Sequence, residues 1–284
     1  MNKVYVCFPN FKMKALTLSY DDGVRQDKRL ISIMQKYGLK GTFNINSGLF
    51  DDKYEGVEKG RMTVKEALEL YNNSGMEVAV HGYKHFSLAR VEESVATLDV
   101  IKDRDILEKM FGKIVKGMAY ANGSYSDNVV EILKKCGINY SRTTISTENF
   151  DIPTDWLRLS ATCHHNNSHL MELAQKFVDE EPCAKGKYFW EQKPLLFYLW
   201  GHSYEFDDNN NWNVIEEFAE FVGNREDIWY ATNGEIYDYL KASDRLEFSA
   251  DGKLAHNPTA TTLYVSYRFI NYVINPGETV NISK

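Results

Sequence analysis

Residues 16–24 read LTLSYDDGV: apolar and polar side chains alternate through Leu16, Leu18 and Tyr20, and the alternation stops on two adjacent carboxylates and a glycine. A period of two marks a β-strand, and Gly23 permits the tight turn that ends it. Directly downstream, QDKRLISIMQKYG (26–38) sets Leu30, Ile33, Met34 and Tyr37 at helical spacing, with Gly38 placed to stop the helix. The unit then repeats. KGTFNI (40–45) is a second strand, and TVKEALELYNNSG (63–75) a second helix opened by the capping-box pair Thr63 and Glu66. Further strands are expected at MEVAVH (76–81), KGMAYA (116–121), INYSRT (138–143), LRLSATC (157–163), PLLFYLW (194–200) and IWYAT (228–232). Between them lie helical stretches such as 91–111, 168–180 and 213–222.

About eight strands alternating with helices predict an α/β fold, a distorted (β/α) barrel of about seven to eight strands, with an open doubly wound sheet as the alternative. From Leu246 the texture becomes β-rich, with turn signals at Asp251-Gly252 and Pro276-Gly277. The expected organisation is a barrel over residues 1–245 and a small β appendage over 246–284.

The chain has 284 residues, 43% hydrophobic and 26% charged, and a formal net charge of −7. Without dense runs of Lys and Arg, that balance argues against a nucleic-acid groove. No run is long and apolar enough to span a bilayer, and no signal-like segment is visible, so membrane insertion is not expected. The sequence as it stands is expected in the cytoplasm, or outside the cell if a leader has been removed. Cys7, Cys136, Cys163 and Cys183 are scattered without a Cys-x2-Cys pair, which reads as reduced thiols rather than a disulfide framework or a zinc knot.

The polar residues fall at the carboxyl ends of the strands, the face on which barrel active sites assemble. Asp21 and Asp22 follow the first strand, His81 and His85 the third, Asn122 the fourth, His164 and His165 the sixth, and His202 the seventh. Taken singly, each has an ordinary explanation. Asp-Asp-Gly is commonly a capping turn, His-x3-His is either a metal pair or two structural histidines, and a lone histidine beside Trp200 and Tyr204 is more often packed than catalytic. Adjacent strand residues face opposite ways, so at most one of His164 and His165 enters a shared site; His164 is favoured.

Together, Asp-Asp-Gly, His-x3-His in order, and Leu199 followed by His202 resemble the polysaccharide deacetylases of the NodB-homology group, carbohydrate esterase family 4. The resemblance covers roughly residues 15–240. It implies a divalent metal, zinc first, with cobalt, nickel or manganese as alternatives, held by Asp22, His81 and His85. It further implies Asp21 as catalytic base, His202 as general acid and Leu199 lining the acetyl-methyl pocket. Such a site acidifies a water and polarises an acetyl carbonyl, while a separate acid protonates the departing amine or alkoxide.

Two departures stand out. The family's third motif, Arg-x-Pro-Tyr-Gly, reads AYANG here, with Ala119 in place of the arginine that pairs with the catalytic aspartate. Arg142, at the end of the fifth strand, is the expected replacement. The fourth motif has a match in Asp155-Trp156, displaced toward the sixth strand. Tyr120, Asn122, Trp200 and Tyr204 are candidate sugar contacts, and Asp155 and His164 candidate tuning residues. The leading expectation is a metal-dependent hydrolase releasing acetyl groups from an N- or O-acetylated carbohydrate, with no prediction of oligomeric state. A non-catalytic sugar-binding relic and a metal amidohydrolase acting on a non-sugar C–N bond are the alternatives.

Overall fold

The computed structural model describes residues 4–51, 60–182 and 193–283, and Cys183 lies outside them. In chain order the strands are β1 (Tyr5–Cys7), β2 (Lys14–Asp22), β3 (Gly41–Ile45), β4 (Glu77–Val80), β5 (Gly117–Ala119), β6 (Tyr140–Ser146), β7 (Leu159–Ala161), β8 (Cys163–His164), β9 (Leu195–Gly201), β10 (Ile228–Tyr230), β11 (Glu247–Phe248), β12 (Leu254–His256), β13 (Leu263–Tyr267), β14 (Ile270–Ile274) and β15 (Thr279–Asn281). The helices are α1 (Asp27–Lys36), α2 (Val64–Asn72), α3 (Glu93–Phe111), α4 (Asp127–Lys135), α5 (Leu170–Asp179), α6 (Glu205–Asp208), α7 (Trp212–Val222) and α8 (Asn233–Ser243).

The main sheet runs β7-β6-β5-β4-β3-β2-β9-β8, with β10 paired to the start of β2. All of its pairings are parallel. One kinked segment brings the two ends of the sheet together. β7 pairs with β6, β8 pairs with β9, and between them Thr162 donates its N–H to Tyr198 O at 2.8 Å. The α/β class and parallel order agree with expectation, and the irregularity comes from this shared segment.

Every residue of β2 is buried, although its sequence alternates like a half-exposed strand. The alternation separates two kinds of interior. Leu16, Leu18 and Tyr20 join the apolar layer that includes Leu30 and Met34 of α1. The odd-numbered residues face inward, where small and polar groups satisfy one another: Thr17 donates to Asn233 Oδ1 at 3.0 Å, and Asn44 Nδ2 donates to Ser19 Oγ and Asp21 Oδ1, each at 2.9 Å. Buried polar groups persist where they find such partners. The inner row of β2 therefore delivers Asp21 to the carboxyl end of the sheet.

The C-terminal residues build two small antiparallel sheets, β11-β12-β15 and β1-β13-β14. The second takes in the N-terminal strand: Tyr5 lies opposite Ser266, and Cys7 opposite Tyr264. Leu263 of β13 packs in one cluster with Phe8 and Ala15, and Tyr239 Oη donates to Cys7 O. Cys7, Cys136 and Cys163 are buried thiols. No described helix is long and apolar enough to cross a membrane.

Candidate active site

Successive residues of a strand point to opposite faces, so Asp21 and Asp22 need a backbone device to share one mouth. Asp22 has φ +86° and Gly23 φ +68°. Positive φ is uncommon outside glycine and recurs at functional sites. Here both carboxylates converge on one imidazole: His81 Nε2 is 3.8 Å from Asp21 Oδ2 and 3.8 Å from Asp22 Oδ1. His85, itself at φ +57°, brings its Nε2 to 3.5 Å from Asp22 Oδ1.

The histidine loop after β4 is held from below. Asp103 of α3 accepts the N–H of His81 at 3.1 Å and that of Ser47 at 2.7 Å, and Asp99 one turn earlier accepts Lys84 N–H at 2.8 Å. Asn46 Nδ2 donates to the carbonyls of His81 and Gly82. The His81 ring is fixed by Nδ1 against Ala119 O at 2.9 Å. A carbonyl only accepts, so Nδ1 carries the proton and the Nε2 lone pair faces the carboxylates. Burial pulls the His81 pKa down, and although Asp21 and Asp22 push it up, it settles at about 4. A neutral imidazole nitrogen aimed at two carboxylates is a donor set that suits a cation. The ligand atoms of Asp22, His81 and His85 all lie within 4.8 Å of one another, and the Nδ1–H bond to a carbonyl is the usual support of a metal-binding histidine.

Asp21 is 3% exposed. Its Oδ2 receives Arg142 Nη2, and Arg142, 1% exposed, lies with its guanidinium 4.3 Å from the ring centre of Trp200. Burial pushes the Asp21 carboxyl up, but Arg142, His81 and His202 outweigh it and hold it at about 2. Arg142 and Ala119 are register partners on adjacent strands. Register partners present their side chains to the same face, so Arg142 enters the space an arginine at 119 would fill, and the small Ala119 leaves room for it.

On the far side of Asp21, His202 Nε2 stands 3.9 Å from Asp21 Oδ2, and its Nδ1 meets Glu205 Oε1 at 3.0 Å. Burial pulls the His202 pKa down, but Glu205, Asp21 and Asp22 together raise it above its ordinary value. His164 Nε2 lies 3.4 Å from Glu205 Oε2. Trp200 makes edge contacts with both His164 and His202.

The other sequence candidates lie elsewhere. Leu199 is fully buried in the apolar layer with Leu18 and Phe206, because the phase of β9 sends Trp200, not Leu199, toward Arg142 and His202. Tyr120 is a core residue whose hydroxyl donates to Leu157 O at 2.8 Å. Asn122, at φ +56°, is exposed and donates to Ser87 Oγ at 3.1 Å; with Arg90, Ser124 and Tyr125 these two line a polar groove of about 710 Å³. Asp155 is committed to Arg158 and to Leu157 N–H, and Trp156 packs edge-on against Tyr237.

Sequence reasoning did not single out Glu205, Asp99, Asp103, Asn46 or Arg61. Arg61 Nη2 lies 3.2 Å from Asp22 Oδ1, and its Nη1 donates to Asp22 O and to Asn46 Oδ1. Two acidic residues four apart on the buried side of α3 were a usable signal, since an unpartnered charge is rarely buried.

Residues 9–141 match the family model of the polysaccharide deacetylases. The family resemblance carried by the motifs is shown over this segment, which holds Asp21, Asp22, His81 and His85 and ends just before Arg142. Among solved structures, a Mycobacterium smegmatis protein classed as a polysaccharide deacetylase aligns at 15% identity over 86% of this chain and 96% of its own, with a TM-score of 0.57, and shares the fold. The deacetylase PplD of Streptococcus pyogenes, solved with acetate, aligns at 24% identity and TM-score 0.41 over 45% of this chain, which spans about half (55%) of that protein. A carbohydrate esterase family 4 pseudoenzyme from Bacillus anthracis aligns at 19% identity and TM-score 0.46, over 82% of this chain and 68% of its own. No curated protein matches the chain in sequence.

Proposed function

We propose that the protein is a metal-dependent deacetylase acting on an N- or O-acetylated carbohydrate. The observation that carries this reading is the convergence of Asp22, His81 and His85 beside the Asp21–Arg142 pair, with His202 facing Asp21. Asp22, His81 and His85 would hold the ion, zinc by the donor set, although cobalt, nickel and manganese suit the same ligands. When bound, the ion supplies a Lewis acid for a water and an acetyl carbonyl.

The remaining chemistry belongs to the chain. Asp21, kept ionised by Arg142 and oriented by Asn44, accepts a proton from the attacking water. The water oxygen bonds to the acetyl carbon, and the C–N or C–O bond to the sugar breaks. His202 delivers its Nε2 proton to the departing nitrogen or oxygen, so acetate and a free amine or hydroxyl result. The polar groove at Ser87 and Asn122 suits a hydroxyl-rich chain better than an apolar acyl group.

The missing third-motif arginine favoured a non-catalytic relic. Arg142, arriving opposite Ala119, removes that ground. The deciding measurement is metal content by mass spectrometry paired with acetate release from acetylated chitooligosaccharides and acetylxylan, before and after chelation. Bound metal with chelator-sensitive release supports the proposal. Stoichiometric metal without release from either sugar refutes the carbohydrate substrate, and no metal after reconstitution refutes the mechanism.

A further inference from the structure

We propose that Glu205 is a positioning residue for leaving-group protonation, acting through His202 and locked in place by His165 and Asn166; this rests on the deacetylase reading. Glu205 opens the short α6 three residues after His202, and its N–H bonds back to His202 O at 3.2 Å, which tucks the carboxylate beside the imidazole. Both oxygens are committed. Oε1 takes His202 Nδ1 at 3.0 Å, while Oε2 is 2.8 Å from His165 Nε2 and receives Asn166 Nδ2 at 2.9 Å.

The lock is built into the strands. His165 is fully buried, its ring stacked against Tyr20 at 5.7 Å and against Phe206 at 4.2 Å, and its N–H donates to Trp200 O at 2.9 Å. Gly201 makes room for it, since a Cβ there would lie 2.0 Å from His165 Nδ1. With His202 Nδ1 bound to a carboxylate, the proton on that nitrogen is taken up and Nε2 is left pointing toward Asp21, where the acetylated atom departs. Without Glu205 the ring is free to rotate and present either nitrogen. Asp155, named from the sequence as a candidate tuning residue, is engaged with Arg158 instead.

His164, His202 and Glu205 also have ligand-like spacing, but a hydrogen-bonded cluster fits better than a second ion site. His164 Nδ1 accepts the N–H of Asn166 at 3.1 Å, which puts the His164 proton on Nε2, the nitrogen that faces Glu205.

A proton donor matters only when the leaving group is poor. An aryl acetate departs as a stable phenolate, whereas a sugar amine or alkoxide needs the proton. General acids contribute about 10²–10⁴-fold, so Glu205→Ala in the metal-loaded protein should lose about 10- to 100-fold in kcat on the acetylated chitooligosaccharide. On an aryl acetate it should lose less than about threefold, with metal content unchanged. Glu205→Gln, which keeps an acceptor without the charge, should fall between. Equal losses on both substrates, or none on either, overturn the proposal, since a purely structural defect does not distinguish leaving groups. A second readout needs no turnover: imidazole NMR should show the His202 Nδ1 proton in the native protein and its loss in Glu205→Ala. Its absence from the native protein refutes the positioning role even if acetate is released. If no acetate is released from any substrate while that proton is present, the deacetylase reading fails and the Glu205–His202 geometry stands.

Discussion

Replacing Arg142 by alanine should destabilise the protein at neutral pH and much less in acid. Asp21 and Arg142 are 3% and 1% exposed, so removing the cation strands a carboxylate with almost no access to water. Arg142 and the two histidines lower the Asp21 pKa from 3.8 to about 2, which at about 1.4 kcal/mol per pH unit corresponds to about 2.5 kcal/mol of stability. Loss of one partner from a buried pair costs about 3–5 kcal/mol, because the other charge is left without compensation. The pH sign follows from the native direction: a lowered carboxyl contributes fully above 3.8 and loses its contribution as pH falls through about 2. In Arg142→Ala burial dominates and the carboxyl rises, so protonation relieves the buried charge on acidification. Urea unfolding of chelator-treated protein at about pH 7 and about pH 4.5 measures the difference. The deficit should shrink at the lower pH and be at least half restored by adding Ala119→Arg, the register partner on β5. An equal deficit at both pH values, or no rescue, would show that Arg142 acts by packing alone.

Asp22→Ala and His81→Ala should each lose bound metal, whereas Asp21→Asn should retain it and lose acetate release; metal analysis beside an acetate assay separates these outcomes. Because the His202 pKa is raised above its ordinary value, deacetylation should decline only once pH has risen past the ordinary histidine range, and His202→Gln should flatten this alkaline limb of the kcat profile. Gly201→Ala drives a methyl into His165 and should cost about 1–3 kcal/mol, read as a lowered Tm, with the amide reaction suffering more than the aryl ester.

Much of this was legible along the chain because it is local. Alternation through Leu16, Leu18 and Tyr20 gives the strand, helical spacing through Leu30, Ile33 and Met34 gives its covering helix, and Asp-Asp-Gly with His-x3-His marks the mouth. Apart from Glu205, three residues from His202, what sequence reading missed depends on distant pairs. Asp103 lies 22 residues from the His81 amide it holds, and nothing near either residue announces the other. Leu199 and Trp200 illustrate a different limit: motif spacing identifies the end of β9, but the phase of the pleat decides which residue faces the mouth. Asp22 goes against its own pleat, and only its positive φ turns it back beside Asp21.

The pairing of β1 with β13 ties residues 5–7 to residues 264–266, so β1 has to wait for a strand far along the chain that already pairs with its own neighbour β14. Contacts this distant along the chain are slow to form. Phe8 and Ala15, at the end of β2 away from Asp21, owe part of their cover to Leu263 of β13. Removing residues 246–284 would keep every residue of the candidate chemistry and uncover the apolar seam that Leu263 forms with Phe8 and Ala15.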